Sequence, residues 1–337
     1  MHEFGVLIGR FQPFHNGHLA TVRVALKTAH KLIIVLGGHN RAQDVRNPWT
    51  SAQRMNMIRD SLSIEENKRV QFVMANDYDY NNLLWVTAIQ EAVHEATDGA
   101  SDVVLIGHKK DASSFYLKLF PQWGDHIDTG LSLPVDATKV RDLMFTQDKI
   151  GIKDMVPPIV YSSIVTYMGS PEFQRLHDEY QEILEDKASW LGAPYRPTFV
   201  TVDAIVICSG HVLVVRRRGR YGKGLIALPG GYVNAGEALI DSCIRELKEE
   251  TGIKLDAKLL KDKVVDKDVF DKPDRDLRGR VITHAFCIKL PDGELPRVKG
   301  MDDADKAWFM SLREIGTSEP KFFADHFHII NRFCARY

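Results

Sequence analysis

Short apolar runs alternate with helical patterns over the first half of the chain. The runs are apolar at almost every position, as expected for strands covered on both faces, and they occupy residues 5–9, 32–37, 70–75 and 103–107. Between and after them, apolar residues recur at helical spacing near residues 18–30, 51–62, 82–97 and 139–148. This alternation predicts an α/β fold with a doubly wound parallel sheet, whose ligands bind at the carboxyl ends of the strands.

The second half of the chain has a different pattern of strands. Four strands are predicted there, at residues 199–208, 211–217, near 254–266 and near 279–290. The first two are joined by Ser209-Gly210, which predicts a hairpin turn. A further helix is predicted near residues 321–335. This part of the chain is therefore expected to form a mixed sheet packed against helices.

A proline-containing stretch separates the two patterns. A charged helix is predicted at residues 171–190, and it is followed by Ala193-Pro-Tyr-Arg-Pro-Thr198. The length of 337 residues also exceeds what one hydrophobic core normally organises, and it predicts about two domains. We therefore predict a first domain over residues 1–185, a linker over 186–198 and a second domain over 199–337.

The composition is typical of a soluble enzyme. The formal net charge is −1 and 26% of the residues are charged, so no basic stripe is available for nucleic acid. No segment approaches the roughly 18 apolar residues of a membrane span, and the early first strand leaves no room for a signal peptide. The four cysteines are widely spaced, which suits reduced thiols. We expect a cytoplasmic enzyme without nucleic-acid or membrane partners, and a homo-oligomer remains open.

A cluster of carboxylates is predicted at residues 231–253, which follow the pattern G-x5-E-x7-R-E-U-x-E-E-x-G-U, where U is apolar. Three glutamates project from one face of the predicted helix: Glu246, Glu249 and Glu250. Their mutual repulsion is removed by a hard divalent cation, Mg²⁺ or Mn²⁺, which takes oxygen ligands and bridges to phosphates. Arg245 and Glu237 can brace the cluster. An exposed acidic helix face is the alternative, but it gives the flanking glycines and the arginine no role.

These residues resemble the Nudix box, which belongs to hydrolases that cleave a diphosphate linked to another moiety. The resemblance implies a Nudix α/β/α sandwich from about residue 199 onwards. It also implies that Mg²⁺ or Mn²⁺ is held by Gly231, Glu246, Glu249 and Glu250, with Glu249 taking part in catalysis. The metal would act as a Lewis acid and activate water. Three aspartates are candidates for a catalytic base outside the box, and the sequence does not distinguish among them: Asp302, Asp303 and Asp305.

The charged segment 271–279 is similar to a substrate loop of ADP-ribose-type Nudix proteins. This similarity implies that Arg275 and Arg278 bind ADP-ribose, which would be hydrolysed to AMP and ribose 5-phosphate. A solvated charged turn is the alternative for the segment. Another nucleoside diphosphate derivative remains open as the substrate. A ligand-sensing role is also open, although the intact glutamates and the absence of a basic surface argue against a transcriptional regulator.

A second motif follows the first predicted strand. Residues 5–18 read as a short strand, a glycine-containing turn and the sequence H-x-G-H, whose histidines are His15 and His18. Residues 19–27 have helical spacing. Both histidines therefore lie at or just before a helix N-terminus, where unpaired N–H groups and the helix dipole attract phosphate. Their imidazoles can donate to a phosphoryl group, and Gly17 removes a side chain that would crowd a nucleotide.

This half resembles the H-x-G-H nucleotidyltransferases, and more narrowly the archaeal-type nicotinamide mononucleotide adenylyltransferases. Four further stretches are similar to segments of that family: residues 46–54, 82–85, 103–107 and 137–141. The last stretch departs from the family's S-x-T-x-x-R motif, because Asp136-Ala137 stands where a serine usually precedes the threonine. The resemblance covers about residues 1–170 and implies a Rossmann-like fold.

The resemblance also implies roles for individual side chains. Trp85 would stack on the nicotinamide ring and Asn82 would read its amide. Thr138 and Arg141 would open a helix and hold the triphosphate of ATP. Arg46 is expected at the phosphate of the mononucleotide. The remaining predicted contacts with the substrates are Gly9, Arg10, His15 and His18. The predicted catalytic residues of this half are His15, His18 and Arg141.

The implied reaction joins ATP to nicotinamide mononucleotide, forming NAD and releasing pyrophosphate. The 5′-phosphate of the mononucleotide is already a nucleophile and needs no base. The protein therefore has to supply in-line positioning and neutralisation of charge, with Mg²⁺ bridging the phosphates. Flavin mononucleotide and phosphopantetheine remain alternative acceptors, because H-x-G-H is shared across the superfamily.

Overall fold

The structure, a computed structural model, describes residues 1–108, 116–124, 126–130 and 135–336. It divides into two compact units, Met1–His177 and Asp178–Tyr337. The dividing point lies within one helix, which extends from Pro171 to Ser189 and so enters the segment that was predicted as a linker. In the described part of the chain, no helix combines the length and apolar character that a membrane crossing requires.

The first unit contains a sheet of five parallel strands. In chain order they are β1 (His2–Gly9), β2 (Ala29–Leu36), β3 (Val70–Met74), β4 (Val103–Gly107) and β5 (Ile127–Asp128). Their spatial order is β3-β2-β1-β4-β5 and every pair is parallel. The predicted doubly wound parallel sheet is therefore confirmed. The two-residue strand β5 was not predicted, because it is too short to show a pattern.

Helices lie between these strands along the chain and also follow the last of them. They are α1 (Asn16–Thr28), α2 (Ser51–Asp60), α3 (Ile64–Asn67), α4 (Asn82–Ala96), α5 (Ala137–Phe145), α6 (Lys149–Lys153), α7 (Pro158–Tyr167) and α8 (Pro171–Ser189). The apolar runs of β1 and β2 form the core, where Val6, Ile33 and Val35 are fully buried against Ile89 of α4. The polar residues that follow β1, β2 and β3 are thereby brought to one edge of the sheet.

The second unit contains a mixed sheet of seven strands. They are β6 (Thr198–Cys208), β7 (His211–Arg217), β8 (Ile226–Ala227), β9 (Gly230–Tyr232), β10 (Val264–Phe270), β11 (Arg280–Lys289) and β12 (Ala304–Ser311). Strands β11 and β6 are parallel, while the other pairs are antiparallel. The predicted hairpin is present: Ser209 and Gly210 both have positive φ, at 45° and 71°, as a tight two-residue turn requires.

The helices of the second unit are α9 (Leu239–Thr251), α10 (Ala257–Asp262), α11 (Leu312–Ile315) and α12 (His326–Cys334). The predicted strand near 254–266 is wrong over its first part, because α10 occupies it and β10 begins only at Val264. The reason is local. Asp256 caps α10, and its carboxylate accepts hydrogen bonds from the backbone N–H groups of Lys258 and Leu259, which stabilises a helix start.

Candidate active sites

The two histidines of the H-x-G-H motif cap α1 together. His15 is the N-cap residue, and its Nδ1 accepts a hydrogen bond from the backbone N–H of His18 at 3.3 Å. The Nδ1 of His18 accepts in turn from the backbone N–H of His15 at 3.3 Å, and the ring centroids lie 3.6 Å apart. A ring nitrogen that accepts a hydrogen bond carries no proton, so in this arrangement the N–H that each ring can donate is on Nε2. Both rings can therefore donate an Nε2–H to a ligand.

Two glycines leave room for this arrangement. A Cβ added to Gly17 would lie 3.0 Å from Cε1 of His15, and one added to Gly9 would lie 2.8 Å from the ring of Phe11. The Phe11 ring packs edge-on against His18, with centroids 4.9 Å apart. Gly17 thus makes room for the ring of His15, a role that the sequence did not predict. The predicted contact of Gly9 with substrate stays a prediction.

A network of arginines and aspartates lies at the carboxyl ends of β1 and β3. Asp77 accepts from Nη2 of Arg10 at 2.9 Å and from Nε of Arg41 at 2.6 Å, while Arg41 also donates to Asp79 at 2.5 Å. Burial alone raises the pKa of Asp77, but the two guanidinium groups lower it below its ordinary value. Arg10 is thus held as a cation at this edge. The motifs identified Arg10, but they did not predict its partners, because the ion pairs join separate loops.

Arg141 connects α5 to the loop of the histidines. Its Nη1 donates to the carbonyl oxygen of Gln12 at 2.6 Å, and its Nη2 donates to Oγ1 of Thr138 at 3.2 Å. Burial lowers the pKa of Arg141, and the charge of Arg46 acts in the same direction, while three aspartates oppose it: Asp142, Asp44 and Asp136. The N-cap of α5 is Asp136, whose carboxylate accepts the N–H three residues later. The departure from the family's serine therefore supplies a helix cap.

Asn82 and Trp85 lie in the first turn of α4. Asn82 is exposed and Trp85 is half-buried. The indole of Trp85 packs edge-on against Tyr116, with centroids 6.5 Å apart, and against Phe120 at 5.8 Å. The N-cap is Asn81, whose side chain accepts from the N–H of Leu84 at 3.1 Å. The roles predicted for Asn82 and Trp85 stay predictions.

The Nudix-like glutamates of the second unit lie on α9 and face β9. Glu250 is 7% exposed, and its Oε2 accepts from the N–H of Gly230 at 3.0 Å. Burial raises the pKa of Glu250 to about 8, and the charge of Glu246 adds to this. Burial likewise raises the pKa of Glu246. A Cβ on Gly231 would lie 2.6 Å from the Glu246 carboxyl carbon, so only glycine allows this approach.

Arg245 braces the neighbouring carboxylates, as predicted for a cluster of this kind. Its Nε donates to Glu237 at 3.0 Å, and its Nη1 donates to Glu246 at 2.7 Å and to Glu249 at 2.9 Å. Its Nη2 also donates to the carbonyl oxygen of Tyr232 at 3.2 Å. One guanidinium therefore ties the loop after β9 to two of the predicted metal ligands.

The donor set fits a hard divalent cation. Glu246 and Glu250 are carboxylates whose raised pKa values reflect negative charge confined in a buried place, and carboxylate oxygens suit Mg²⁺ or Mn²⁺. Across the described residues, no three histidine, cysteine or carboxylate side chains are gathered as a ready metal site, and Glu249 is bound to Arg245 instead. Among the three aspartates proposed as a base, Asp302 is the one whose charge raises the pKa of Glu246.

The two arginines of the predicted substrate loop differ in their surroundings. Arg278 donates to Asp276 at 2.8 Å, and its guanidinium carbon lies 4.6 Å from the ring centroid of Tyr221 and 5.6 Å from that of Tyr232. Tyr232 is the last residue of β9, so Arg278 contacts the strand that also contains Gly231. Arg275 instead makes two 2.9 Å hydrogen bonds to Asp325. Both members of that pair are buried.

A buried aspartate next to these glutamates was missed by sequence reasoning. Asp203 is 5% exposed, and its Oδ2 accepts from Oγ1 of Thr283 at 2.6 Å. Its charge contributes to the raised pKa of Glu250. The available signal was a single carboxylate within the apolar run of β6. A lone acidic residue in a buried strand indicates that a polar contact is required, but the sequence does not identify the partner.

The buried pair of Arg275 and Asp325 should contribute strongly to stability. We expect Asp325→Asn to lower the free energy of unfolding by about 2 kcal/mol, because a buried guanidinium loses its counter-charge. Urea unfolding of the full chain measures this. The matched control is Asp268→Asn, whose partners Arg332 and Arg336 are on the surface, where a change of less than about 1 kcal/mol is expected. Equal losses in the two variants would contradict the assignment.

Comparison with known proteins identifies both halves. Residues 6–142 match the family model for a cytidylyltransferase-like domain, and residues 197–333 match the model for a NUDIX domain. A nicotinamide/nicotinic acid mononucleotide adenylyltransferase of Acinetobacter baylyi is 35% identical over 179 residues, which cover 53% of this chain and 94% of that protein. An ADP-ribose pyrophosphatase of Methanocaldococcus jannaschii is 38% identical over 134 residues, which cover 40% of this chain and 72% of that protein.

One solved structure is similar over both units at once. It is a bifunctional NMN adenylyltransferase/ADP ribose pyrophosphatase from Francisella tularensis, complexed with AMP and a manganese ion. It is 33% identical, with a TM-score of 0.93 over 100% of this chain and 99% of that chain. The chain belongs to the bifunctional NMN adenylyltransferase/ADP-ribose pyrophosphatase family. The resemblances read from both motifs are thereby confirmed.

Proposed function

We propose that the first unit transfers an adenylyl group from ATP to nicotinamide mononucleotide, giving NAD and pyrophosphate. The observation that carries this proposal is the reciprocal capping of His15 and His18, which holds both imidazole rings at the N-terminus of α1. Two imidazole donors at that place suit a phosphate chain, since the helix dipole also attracts negative charge. The imidazole N–H groups would hydrogen-bond the phosphate oxygens, and the phosphate nucleophile needs no base.

The positive charges around the histidines complete the proposed site. Arg10 and Arg141 would neutralise the ATP phosphates, and Arg46 would hold the phosphate of the mononucleotide. Arg141 reaches the carbonyl oxygen of Gln12 at 2.6 Å, which places its charge beside the loop of the histidines. Such fixed donors lower the barrier by stabilising the charge that spreads over the transferring group. Thr138 and Gly9 are the further proposed contacts.

The nicotinamide contact of Trp85 can be tested separately from the phosphate contacts. We expect Trp85→Ala to raise the KM for nicotinamide mononucleotide by about 10-fold, because stacking on an aromatic ring contributes roughly 1–3 kcal/mol per base. The KM for ATP should change little. Steady-state kinetics with each substrate varied in turn measures both constants, and Trp85→Phe is the matched control that keeps a ring. A KM for the mononucleotide that Trp85→Ala leaves unchanged would exclude stacking.

We propose that the second unit hydrolyses ADP-ribose to AMP and ribose 5-phosphate with bound Mg²⁺ or Mn²⁺. The close approach of the Glu246 carboxylate to Gly231 carries this proposal, with the buried Glu250 beside it. The cation would be held by Gly231, Glu246, Glu249 and Glu250. When bound, it polarises the diphosphate and makes water more nucleophilic. Arg245 would orient Glu246 and Glu249 through its hydrogen bonds, and Arg278 would bind the substrate.

Product analysis tests both activities in the wild-type chain. One reaction contains ATP, Mg²⁺ and nicotinamide mononucleotide, flavin mononucleotide or phosphopantetheine, and chromatography identifies the product. The expected result is NAD from the first acceptor alone. The second reaction contains ADP-ribose with Mg²⁺ or Mn²⁺, and the expected products are AMP and ribose 5-phosphate. Transfer to another acceptor, or binding of ADP-ribose without cleavage, would overturn the corresponding half of the proposal.

A further inference from the structure

A single buried guanidinium contacts both loops at the carboxyl edge of the first sheet. Arg54 lies on α2 and is 1% exposed. Its Nη1 donates to the carbonyl oxygens of Arg10 at 2.5 Å and Gly37 at 2.8 Å. Its Nη2 donates to the carbonyl oxygen of Gly38 at 3.4 Å and to Oγ of Ser51 at 3.1 Å. Arg10 follows β1, and the two glycines follow β2. One side chain therefore joins the loops after both strands.

This contact has an unusual chemistry for a buried cation. Among the residues that the structure describes, no carboxylate forms an ion pair with Arg54, and its Nε has no hydrogen-bond partner. Burial lowers the pKa of Arg54 to about 10, the charge of Arg10 acts in the same direction, and the charge of Asp77 opposes both. The group is still a cation at neutral pH. Removing a charge from water is costly. The carbonyl oxygens of the two loops offset this cost for Arg54 only while both loops stay within hydrogen-bonding distance of it.

Both loops carry residues of the proposed adenylyl-transfer site. Arg10 is proposed to neutralise the ATP phosphates. The loop after β2 continues through His39, whose Nδ1 lies 2.9 Å from Oγ of Ser51, towards Arg46, which is proposed to hold the mononucleotide phosphate. The distance between the two loops thus sets the distance between the two substrates. A misplacement of about 1 Å between reacting groups costs on the order of 10²-fold in rate.

We propose that Arg54 is a positioning residue for adenylyl transfer, acting through the backbone of Arg10 and of Gly37 and Gly38. The proposal rests on the function proposed for the first unit. Arg54 touches neither substrate. It holds the loops after β1 and β2 at the separation that in-line attack requires.

A second arginine that donates to backbone carbonyl groups lies at the amino ends of the strands of the same sheet. Arg69 donates from Nε to the carbonyl oxygen of His30 at 2.9 Å, and from Nη2 to those of Leu26 at 2.5 Å and Ala29 at 2.7 Å. These carbonyl groups lie in the last turn of α1 and at the amino end of β2, away from the loops that carry the proposed site. Arg69 therefore makes the same kind of contact without a place in the chemistry, and it serves as the control.

The test compares Arg54→Lys with Arg69→Lys in the full chain. Lysine keeps the charge, but one nitrogen replaces the two that contact the carbonyl oxygen of Arg10 and the hydroxyl of Ser51 separately in Arg54. For Arg54→Lys we expect kcat of NAD formation to fall by about 30- to 100-fold, with both KM values within about 3-fold of wild type. For Arg69→Lys we expect all three constants within about 3-fold of wild type. Thermal unfolding is measured for both, and rates are normalised to folded protein.

A milder pair of variants covers the case in which Arg54→Lys does not fold. Ser51→Ala leaves Arg54 in place but removes its link to His39, and we expect kcat to fall by about 3- to 10-fold. Its control is Ser61→Ala, since Ser61 lies just after the same helix and donates to the carbonyl oxygen of Met57 at 2.6 Å. No change is expected there.

Two results would overturn the inference in different ways. If kcat of Arg54→Lys stays within about 2-fold of that of Arg69→Lys, Arg54 has only a structural role. Where Arg54→Lys does not fold, the same conclusion follows if kcat of Ser51→Ala stays within about 2-fold of that of Ser61→Ala. If the wild-type chain forms no NAD at all, the function proposed for the first unit fails, and this inference fails with it. Hydrolysis of ADP-ribose by the same preparations distinguishes an inactive preparation from both results.

Discussion

Replacement of His18 by alanine is expected to lower kcat/KM for NAD formation by about 10²- to 10³-fold. The loss of one fixed donor to a transferring group costs about 2.7–4 kcal/mol at the transition state. His18 offers an Nε2–H because its Nδ1 accepts the N–H of His15 at 3.3 Å. The substitution also removes this capping hydrogen bond of α1, so the midpoint temperature of thermal unfolding should fall slightly. Steady-state rates normalised to folded protein measure the effect on chemistry.

The control for this variant is His30→Ala. His30 is exposed at the amino end of β2, away from the loops after β1 and β2, so its removal should leave NAD formation unchanged. Hydrolysis of ADP-ribose should be unchanged in both variants. A His18→Ala protein that forms NAD within about 3-fold of the wild-type rate would contradict the role of the imidazole.

Replacement of Glu250 by glutamine is expected to lower ADP-ribose hydrolysis by at least about 10³-fold, because the amide is a neutral and weaker ligand for a divalent cation. Folding should not suffer. The amide oxygen can still accept the N–H of Gly230, which lies 3.0 Å from Oε2 in the wild type. Burial and the charge of Glu246 raise the pKa of Glu250 to about 8, so the neutral amide replaces a carboxyl group that ionises with difficulty.

Two measurements separate loss of metal from loss of structure. In the presence of EDTA, the thermal midpoint of Glu250→Gln should equal or exceed that of the wild type. Titration of Mn²⁺ into the metal-free proteins should show weaker binding to the variant. Glu294→Gln, at an exposed position in the same unit, should match the wild type in both. Full hydrolysis by Glu250→Gln would contradict its assignment as a metal ligand.

Most of the fold could be predicted because its signals are local. The run 32–37 is apolar at consecutive positions, and most of it lies in β2, an interior strand of the parallel sheet. The hairpin at Ser209-Gly210 follows from a residue pair that tolerates positive φ. The error near 254–266 has an equally local cause. Apolar residues there suggested a strand, while the capping carboxylate of Asp256 starts a helix instead.

The site could be predicted only as far as its motifs extend. His15 and His18 lie three residues apart, and Glu246, Glu249 and Glu250 share one helix, so their spacing alone brings them together. Contacts between separate loops leave no such spacing. Asp325 lies 50 positions from Arg275, and the carbonyl group of Arg10 lies 44 positions from Arg54. Such pairs form only when the sheet brings distant segments together, and a single sequence does not show them.

We expect each unit to carry out its phosphate chemistry independently of the other. To test this, NAD formation and ADP-ribose hydrolysis are measured in the same preparations of wild type, His18→Ala and Glu250→Gln. We predict that the first substitution lowers NAD formation alone, by about 10²- to 10³-fold, and that the second lowers hydrolysis alone, by at least about 10³-fold. A single substitution that silences both reactions in a folded protein would contradict this expectation.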